Sequence, residues 1–142
     1  MTVRLTRKYG FPASHRLHSG ALSAEENRRT YGKCNNPHGH GHNYEIEITV
    51  RGKVDRVSGR AVDLGRLDQI AEDQILKPLR YRNLNEEVPV FSELVPTTEN
   101  LAAELDRRLR SAWPEVFPPG GPVLEKLRIW ETERNICEID HA

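Results

Sequence analysis

The sequence predicts an α+β domain in which two long helices pack on one face of an antiparallel sheet, and three observations carry that expectation. Residues 43–52, Asn-Tyr-Glu-Ile-Glu-Ile-Thr-Val-Arg-Gly, alternate polar and apolar with the period of a half-buried strand. Between Leu64 and Leu79 the apolar residues Leu64, Leu67, Ile70, Ala71, Ile75 and Leu79 recur at helical spacing instead. The order of segments, paired strands, helix, helix, paired strands, is that of a sheet with its helices segregated to one side. At 142 residues the chain has the length of one domain, taken as residues 1–142, with room for one core and one site.

Each element carries its own local signal. Val3 to Phe11 alternates loosely and ends at Pro12, as a strand closed by a turn does. Ser23-Ala24-Glu25-Glu26 has the form of a capping box, which starts a short helix from about Ala24 to Tyr31. The strand beginning at His42 runs to Gly52, a turn follows at Asp55 to Gly59, and Ala61-Val62 reads as a short returning strand. Asp63 caps the first long helix and Pro78 marks its end. Thr97 or Thr98 caps the second, which carries Leu101, Leu105, Leu109 and Ala112 and stops at Pro114, with Glu99 suiting its positive N-terminal end. Strands at Val123 to Glu131 and Ile136 to Ile139, joined by the polar turn Thr132 to Asn135, complete a four-stranded sheet. Its second face is left to be covered, and neighbouring subunits are the expected cover.

Composition excludes several classes of function. With 21 basic and 21 acidic side chains the formal net charge is zero, so the electrostatic footprint of a nucleic-acid or anionic-membrane binder is missing. No stretch approaches the roughly 20 apolar residues of a membrane span. The first residues, Met-Thr-Val-Arg-Leu-Thr-Arg-Lys, lack the apolar core of a signal peptide, so a cytoplasmic location is expected. In a reducing compartment Cys34 and Cys137 are free thiols by default, and Cys137 falls at a buried-strand position.

Histidine placement points to a metal. Five of the six histidines, His15, His18, His38, His40 and His42, lie in the first third of the chain, and three form His38-Gly39-His40-Gly41-His42. Alternate residues of an extended segment face one way, so His40 and His42 can present two imidazoles to one ion. His15 supplies the third, since it follows a strand that can lie beside the one starting at His42. Three imidazoles leave a fourth zinc position open, the catalytic arrangement. Zinc is preferred to iron because no carboxylate stands in a facial-triad position, although three imidazoles also suit other divalent ions. Cys34, beside Lys33 in a loop six residues before His40, has the setting of a partly ionised thiol. As a base or nucleophile, as a fourth structural ligand, or as a plain loop thiol, it fits the spacing equally.

The chain resembles the 6-pyruvoyl-tetrahydropterin synthases and their 6-carboxytetrahydropterin synthase relatives. The matching words are Phe11-Pro12-Ala13-Ser14-His15-Arg16-Leu17, the run from Cys34 to Tyr44, Pro96-Thr97-Thr98-Glu99-Asn100 and Trp130-Glu131-Thr132. The resemblance implies a tunnelling fold (T-fold), an oligomeric barrel of four-stranded sheets built as a homotrimer or paired into a homohexamer. It also implies that His15, His40 and His42 bind Zn²⁺, that Cys34 is the catalytic base, that Glu131 anchors the pterin, and that Thr97, Thr98 and Glu99 surround its pocket. The implied substrate is 7,8-dihydroneopterin triphosphate, whose side-chain protons are moved and whose triphosphate leaves. Arg16, Arg28, Arg29 and Lys33 are the nearest cations for that leaving group.

One departure stands out. After Lys77-Pro78-Leu79 the family usually has an Asp-His pair, and this chain has Arg80-Tyr81. An acid–base partner of that kind is worth about 10²–10⁴ in rate. His38, four residues from Cys34, can compensate as a second catalytic imidazole. The alternatives that follow are a 6-carboxytetrahydropterin synthase, a pterin side-chain-cleaving enzyme, or a noncatalytic zinc and pterin binder.

Overall fold

In the computed structural model, which describes residues 1–141, a five-stranded sheet has the order β3-β1-β2-β4-β5. Strands β1 (Thr2–His15) and β2 (His40–Lys53) pair antiparallel over their whole length, from Thr2 opposite Lys53 to His15 opposite His40. β2 therefore begins at His40, two residues before the start at His42 that the sequence suggests. β4 (Val123–Trp130) lies along the other side of β2 with a bulge at Thr49/Val50, and β5 (Ile136–Asp140) pairs with β4.

Two strand expectations are corrected. Ala61-Val62 joins no ladder: the Ala61 carbonyl presses on Gly52, where a Cβ would lie 2.7 Å from its oxygen, and Val62 is buried in the core. The fifth strand is β3 (Arg82–Asn83), two residues pairing parallel with Ala13 and Ser14, too short to leave a period in the sequence.

The helices follow their caps. α1 (Ala24–Tyr31) starts from a complete capping box between Ser23 and Glu26. α2 (Leu64–Ala71) is capped by Asp63, whose side chain accepts from the Arg66 N–H. It continues through a π-helical turn at Glu72–Leu76 into α3 (Lys77–Leu79). Pro78 has no N–H to give the Gln74 carbonyl, and Arg108 donates to that oxygen at 3.5 Å. After the short α4 (Leu84–Glu87), α5 (Thr98–Val116) starts from Thr97 and runs past Pro114 rather than stopping there. A proline this near the end forfeits one backbone bond, while Phe117 N–H still closes on the Trp113 carbonyl at 2.7 Å and stacks near its ring.

α2 and α5 cover one face of the sheet, burying Tyr44, Ile46, Ile48 and Leu127 against Leu67, Ile75, Leu101, Leu105 and Leu109. The opposite face of the sheet is polar. It carries ion pairs such as Lys8–Glu45 and Lys126–Glu138, a Thr6–Thr49 hydroxyl pair, and the Trp130 indole donating to Glu47.

Strand β1 is tied to α2 through Asp68, which accepts from the Tyr9 hydroxyl at 2.7 Å and from the Arg7 guanidinium at 2.7 and 3.2 Å. The Tyr9 bond foremost, working against the cost of burial and helped by Arg7, holds the Asp68 carboxyl below its ordinary value. A depressed carboxylate stabilises the fold above its unfolded pKa and loses that contribution as pH falls through the folded one. The acid limb of stability below about pH 4 is therefore expected to be shallower in Asp68→Asn than in the parent, read from urea midpoints between about pH 6 and pH 3. Identical acid limbs would contradict this.

Candidate functional site

The β1–β2 register creates the site. His15 lies opposite His40, and Ala13 opposite His42, so three imidazoles from the inward positions of two strands meet at one end of the ribbon. Their ring centroids are 4.7 to 5.0 Å apart, and one ligand atom from each lies within 4.8 Å of the others. Gly39 makes the approach possible: it has φ +73°, and a Cβ there would sit 2.9 Å from the His15 carbonyl oxygen.

Hydrogen bonds fix how His15 is presented. Its Nδ1 is 2.9 Å from the Pro96 carbonyl, which can only accept, so Nδ1 carries the proton and Nε2 keeps its lone pair. The Tyr44 oxygen lies 3.2 Å from the same nitrogen. His15 Nε2 faces His40 Nε2 at 3.1 Å. Burial lowers His15 to about 4, with Pro96 opposing, and lowers His42 as well, against Glu131. His42 Nε2 is buried with no hydrogen-bond partner. Converging imidazole nitrogens, one of them orphaned, are what a divalent cation satisfies. The three residues expected from sequence as ligands are thus brought together and fit a metal ion.

Glu131, at the end of β4, reaches the same cluster. Its Oε2 is 3.9 Å from His15 Nε2 and its Oε1 is 3.9 Å from His42 Nε2. The Thr98 hydroxyl donates to Oε2 at 2.9 Å, and the Asn135 amide donates to Oε1 at 3.2 Å and to the Thr98 oxygen at 3.0 Å. Asn135 carries no motif in the sequence, where Thr132 to Asn135 is a polar turn. The turn folds it back, its carbonyl accepting from Glu131 N–H while its own N–H donates to the Thr132 hydroxyl.

The other candidates separate. Cys34 sits in a 3₁₀ turn, Gly32–Asn35, and its carbonyl accepts from Leu17 N–H, two residues beyond His15. Burial, with Glu131 adding to it, raises the Cys34 thiol above its ordinary value, the opposite direction to the one expected from Lys33. Tyr44 is pushed up too, by burial first and then by Glu131 and Cys34, which places those groups in one electrostatic neighbourhood. Thr98 is buried, whereas Thr97 spends its hydroxyl capping α5 and Glu99 is exposed. His38 is exposed and lines a cavity of about 510 Å³ with Arg16, His18, Asn83 and Asn85; it makes no hydrogen bond to Cys34 among the described residues. Arg28, Arg29 and Lys33 are exposed. At the departure from the family pattern, Arg80 donates to both oxygens of Glu72, and Tyr81, with φ +60° and 80% exposure, gives its N–H to the Pro12 carbonyl.

A buried neutral imidazole makes the metal-free protein acid-sensitive. His15 titrates at about 4 when folded and at 6.5 when exposed, so its contribution is intact above about pH 6.5 and is lost as pH falls toward 4. That loss is on the order of 3 kcal/mol, and His15→Asn is expected to flatten the urea-midpoint profile across this window. An unchanged profile would contradict the burial assigned to His15.

Comparison with known proteins agrees with this geometry. The profile of the 6-pyruvoyl tetrahydropterin synthase family matches residues 4–142. The 6-pyruvoyl tetrahydrobiopterin synthase of Poecilia reticulata is 48% identical over 132 residues, covering 93% of this chain and 86% of that protein. The Homo sapiens protein of the same name is 44% identical over 134 residues, covering 94% and 88%. The structure of the Caenorhabditis elegans 6-pyruvoyl tetrahydropterin synthase superimposes with a TM-score of 0.87 at 39% identity, covering 100% of this chain and 97% of that one. The subunit architecture of the tunnelling fold, a sheet with helices on one face, is therefore the one observed, and the chain belongs to the 6-pyruvoyl tetrahydropterin synthase family.

Proposed function

We propose that the chain is a zinc-dependent carbon–oxygen lyase of tetrahydropterin biosynthesis that acts on 7,8-dihydroneopterin triphosphate. Family membership supports the lyase class and the pterin substrate. The observation that carries the zinc reading is the converging His15, His40 and His42 nitrogens, with His42 Nε2 buried and unpartnered. Assembly as a homotrimer or homohexamer and a cytoplasmic location belong to the same proposal.

Zinc held by the three imidazoles supplies a Lewis acid for the oxygens of the substrate side chain, whose adjacent C–H bonds become more acidic. The remaining work falls to the chain. Cys34 Sγ takes a carbon-bound proton as thiolate; the burial and the Glu131 charge that keep it protonated in the metal-free chain are opposed by the charge of a loaded triad. Glu131, held by Thr98 and Asn135, accepts N–H bonds from the amino-pyrimidinone edge of the pterin, with Thr97 and Glu99 at the pocket margin. His38, on the wall of the cavity it shares with Arg16, takes the place of the imidazole that Tyr81 replaces. The redox change is internal: the side chain is oxidised as the ring is reduced, and triphosphate departs.

The Arg80–Glu72 ion pair favours a second reading. Arg80 is committed to a carboxylate and has no proton to give near neutral pH, so the product can differ or turnover can be lost. Incubation of the zinc-loaded protein with dihydroneopterin triphosphate, followed by mass spectrometry, separates the outcomes. A 6-pyruvoyl product with triphosphate supports the first reading. A carboxy product with acetaldehyde, or a shortened side chain, supports a relative with another product; tight binding without turnover supports a noncatalytic binder. Cys34→Ala is expected to lower the rate by at least about 10²-fold, and an unchanged rate would remove Cys34 from the mechanism.

A further inference from the structure

The cavity of about 510 Å³ beside the triad is walled by residues that adjoin the candidate ligands in sequence. Arg16 follows His15, Gly39 precedes His40, and Asn35, which holds the Arg16 side chain, follows Cys34. Among the cations nearest in sequence to the leaving group, Arg16 lines this cavity, whereas Arg28, Arg29 and Lys33 do not.

Arg16 is fixed in place with its charge unspent. Its backbone N–H donates to Asn85 Oδ1 at 2.7 Å, and its carbonyl accepts from Asn85 Nδ2 at 2.9 Å. Its Nε donates to the Asn35 carbonyl at 3.1 Å. Among the described residues its terminal nitrogens have no acceptor and no carboxylate pairs with it. A half-buried guanidinium held along one edge presents the other edge, as a fork of N–H donors, to an anion such as phosphate.

The groups around it are donors too. Asn35 Nδ2 donates to the Leu17 carbonyl at 2.7 Å and to His18 Nδ1 at 3.0 Å, so the His18 ring proton sits on Nε2. Asn83 spends its Oδ1 on the N–H groups of Asn85 and Glu86, at 3.1 and 3.3 Å, which leaves its amide nitrogen to donate. Glu86 and Glu93 also line the cavity, and both are exposed. They oppose an anion weakly, because water and salt screen exposed charges.

Resting on the lyase reading for the identity of the substrate, we infer that this cavity is an anion site that holds the triphosphate, first as the tail of the substrate and then as the released product. In dihydroneopterin triphosphate the phosphate ester is on the carbon next to a hydroxyl-bearing one, so a triphosphate site has to border the site that holds the hydroxyls. Arg16 and Gly39, each one position from a histidine of the triad, place the cavity on that border. Arg16 is then a substrate-binding residue, and Asn35 and Asn85 are its positioning residues.

Calorimetric titration of the full chain with inorganic triphosphate, in zinc-loaded and metal-free forms at low salt, tests the cavity without turnover. Both forms of the parent are expected to bind it. Arg16→Gln, with circular dichroism confirming its fold, is expected to bind at least about tenfold more weakly. Glu93→Gln is expected to bind about twofold more tightly, a gain that misfolding does not produce. In the zinc-loaded enzyme, inorganic triphosphate is expected to compete with the substrate, and Arg16→Gln to raise KM by a factor similar to its loss of triphosphate affinity. Binding confined to the zinc-loaded form puts the triphosphate on the metal and overturns the cavity, as does unchanged affinity in Arg16→Gln. Triphosphate bound as expected by a protein that leaves dihydroneopterin triphosphate unconverted overturns the lyase reading and leaves the anion site standing.

Discussion

The uninterrupted pairing of β1 with β2 is the constraint on which the rest depends. Fourteen paired positions run from Thr2 opposite Lys53 to His15 opposite His40, and the side-chain period of two leaves no freedom in which residues face the helices. A slip of β2 by one residue would turn Tyr44, Ile46 and Ile48 out of the core and His40 and His42 out of the site together, leaving Phe11 and His15 of β1 without them. Burial of the apolar residues thus selects the register, and the register assembles the imidazoles. Gly39 belongs to the same constraint, since only a residue without a Cβ can enter β2 so close behind His15.

The site then works by withholding partners. Burial keeps the His15 ring neutral, the Pro96 carbonyl directs its lone pair inward, and His42 Nε2 has nothing to bond. Burial raises the Cys34 thiol, and Glu131, bringing negative charge into the same small volume, adds to it. Each of these is unfavourable in isolation, and one cation relieves them all. A metal ion bound there would change the protonation balance of Cys34 as well as supply Lewis acidity.

What could be read in the sequence was whatever leaves a local trace. The Ser23–Glu26 capping box, the Asp63 and Thr97 caps and the alternation along β2 each depend on a few adjacent residues, and each is found in the structure. The histidine triad was readable because strand period and antiparallel pairing are enough to bring His15 to His40 and His42. The unread features are tertiary. β3 is too short to have a period, and Ala61-Val62 looks like a strand until Gly52 admits its carbonyl. Pro114 breaks no helix because it falls in the last turn. Asn135 carries no motif and gains its contact with Glu131 only when the β4–β5 turn closes. Arg80-Tyr81 was visible as a departure, but its commitment to Glu72 and to the Pro12 carbonyl was not.

Zinc K-edge X-ray absorption on the zinc-loaded, substrate-free protein tests the central claim most directly, because it counts the atoms bound to the metal. The account predicts three imidazole nitrogens at about 2.0–2.1 Å and one oxygen, with no sulfur. A sulfur scatterer at about 2.3 Å would make Cys34 a ligand rather than a base, and fewer than three imidazoles would break the triad.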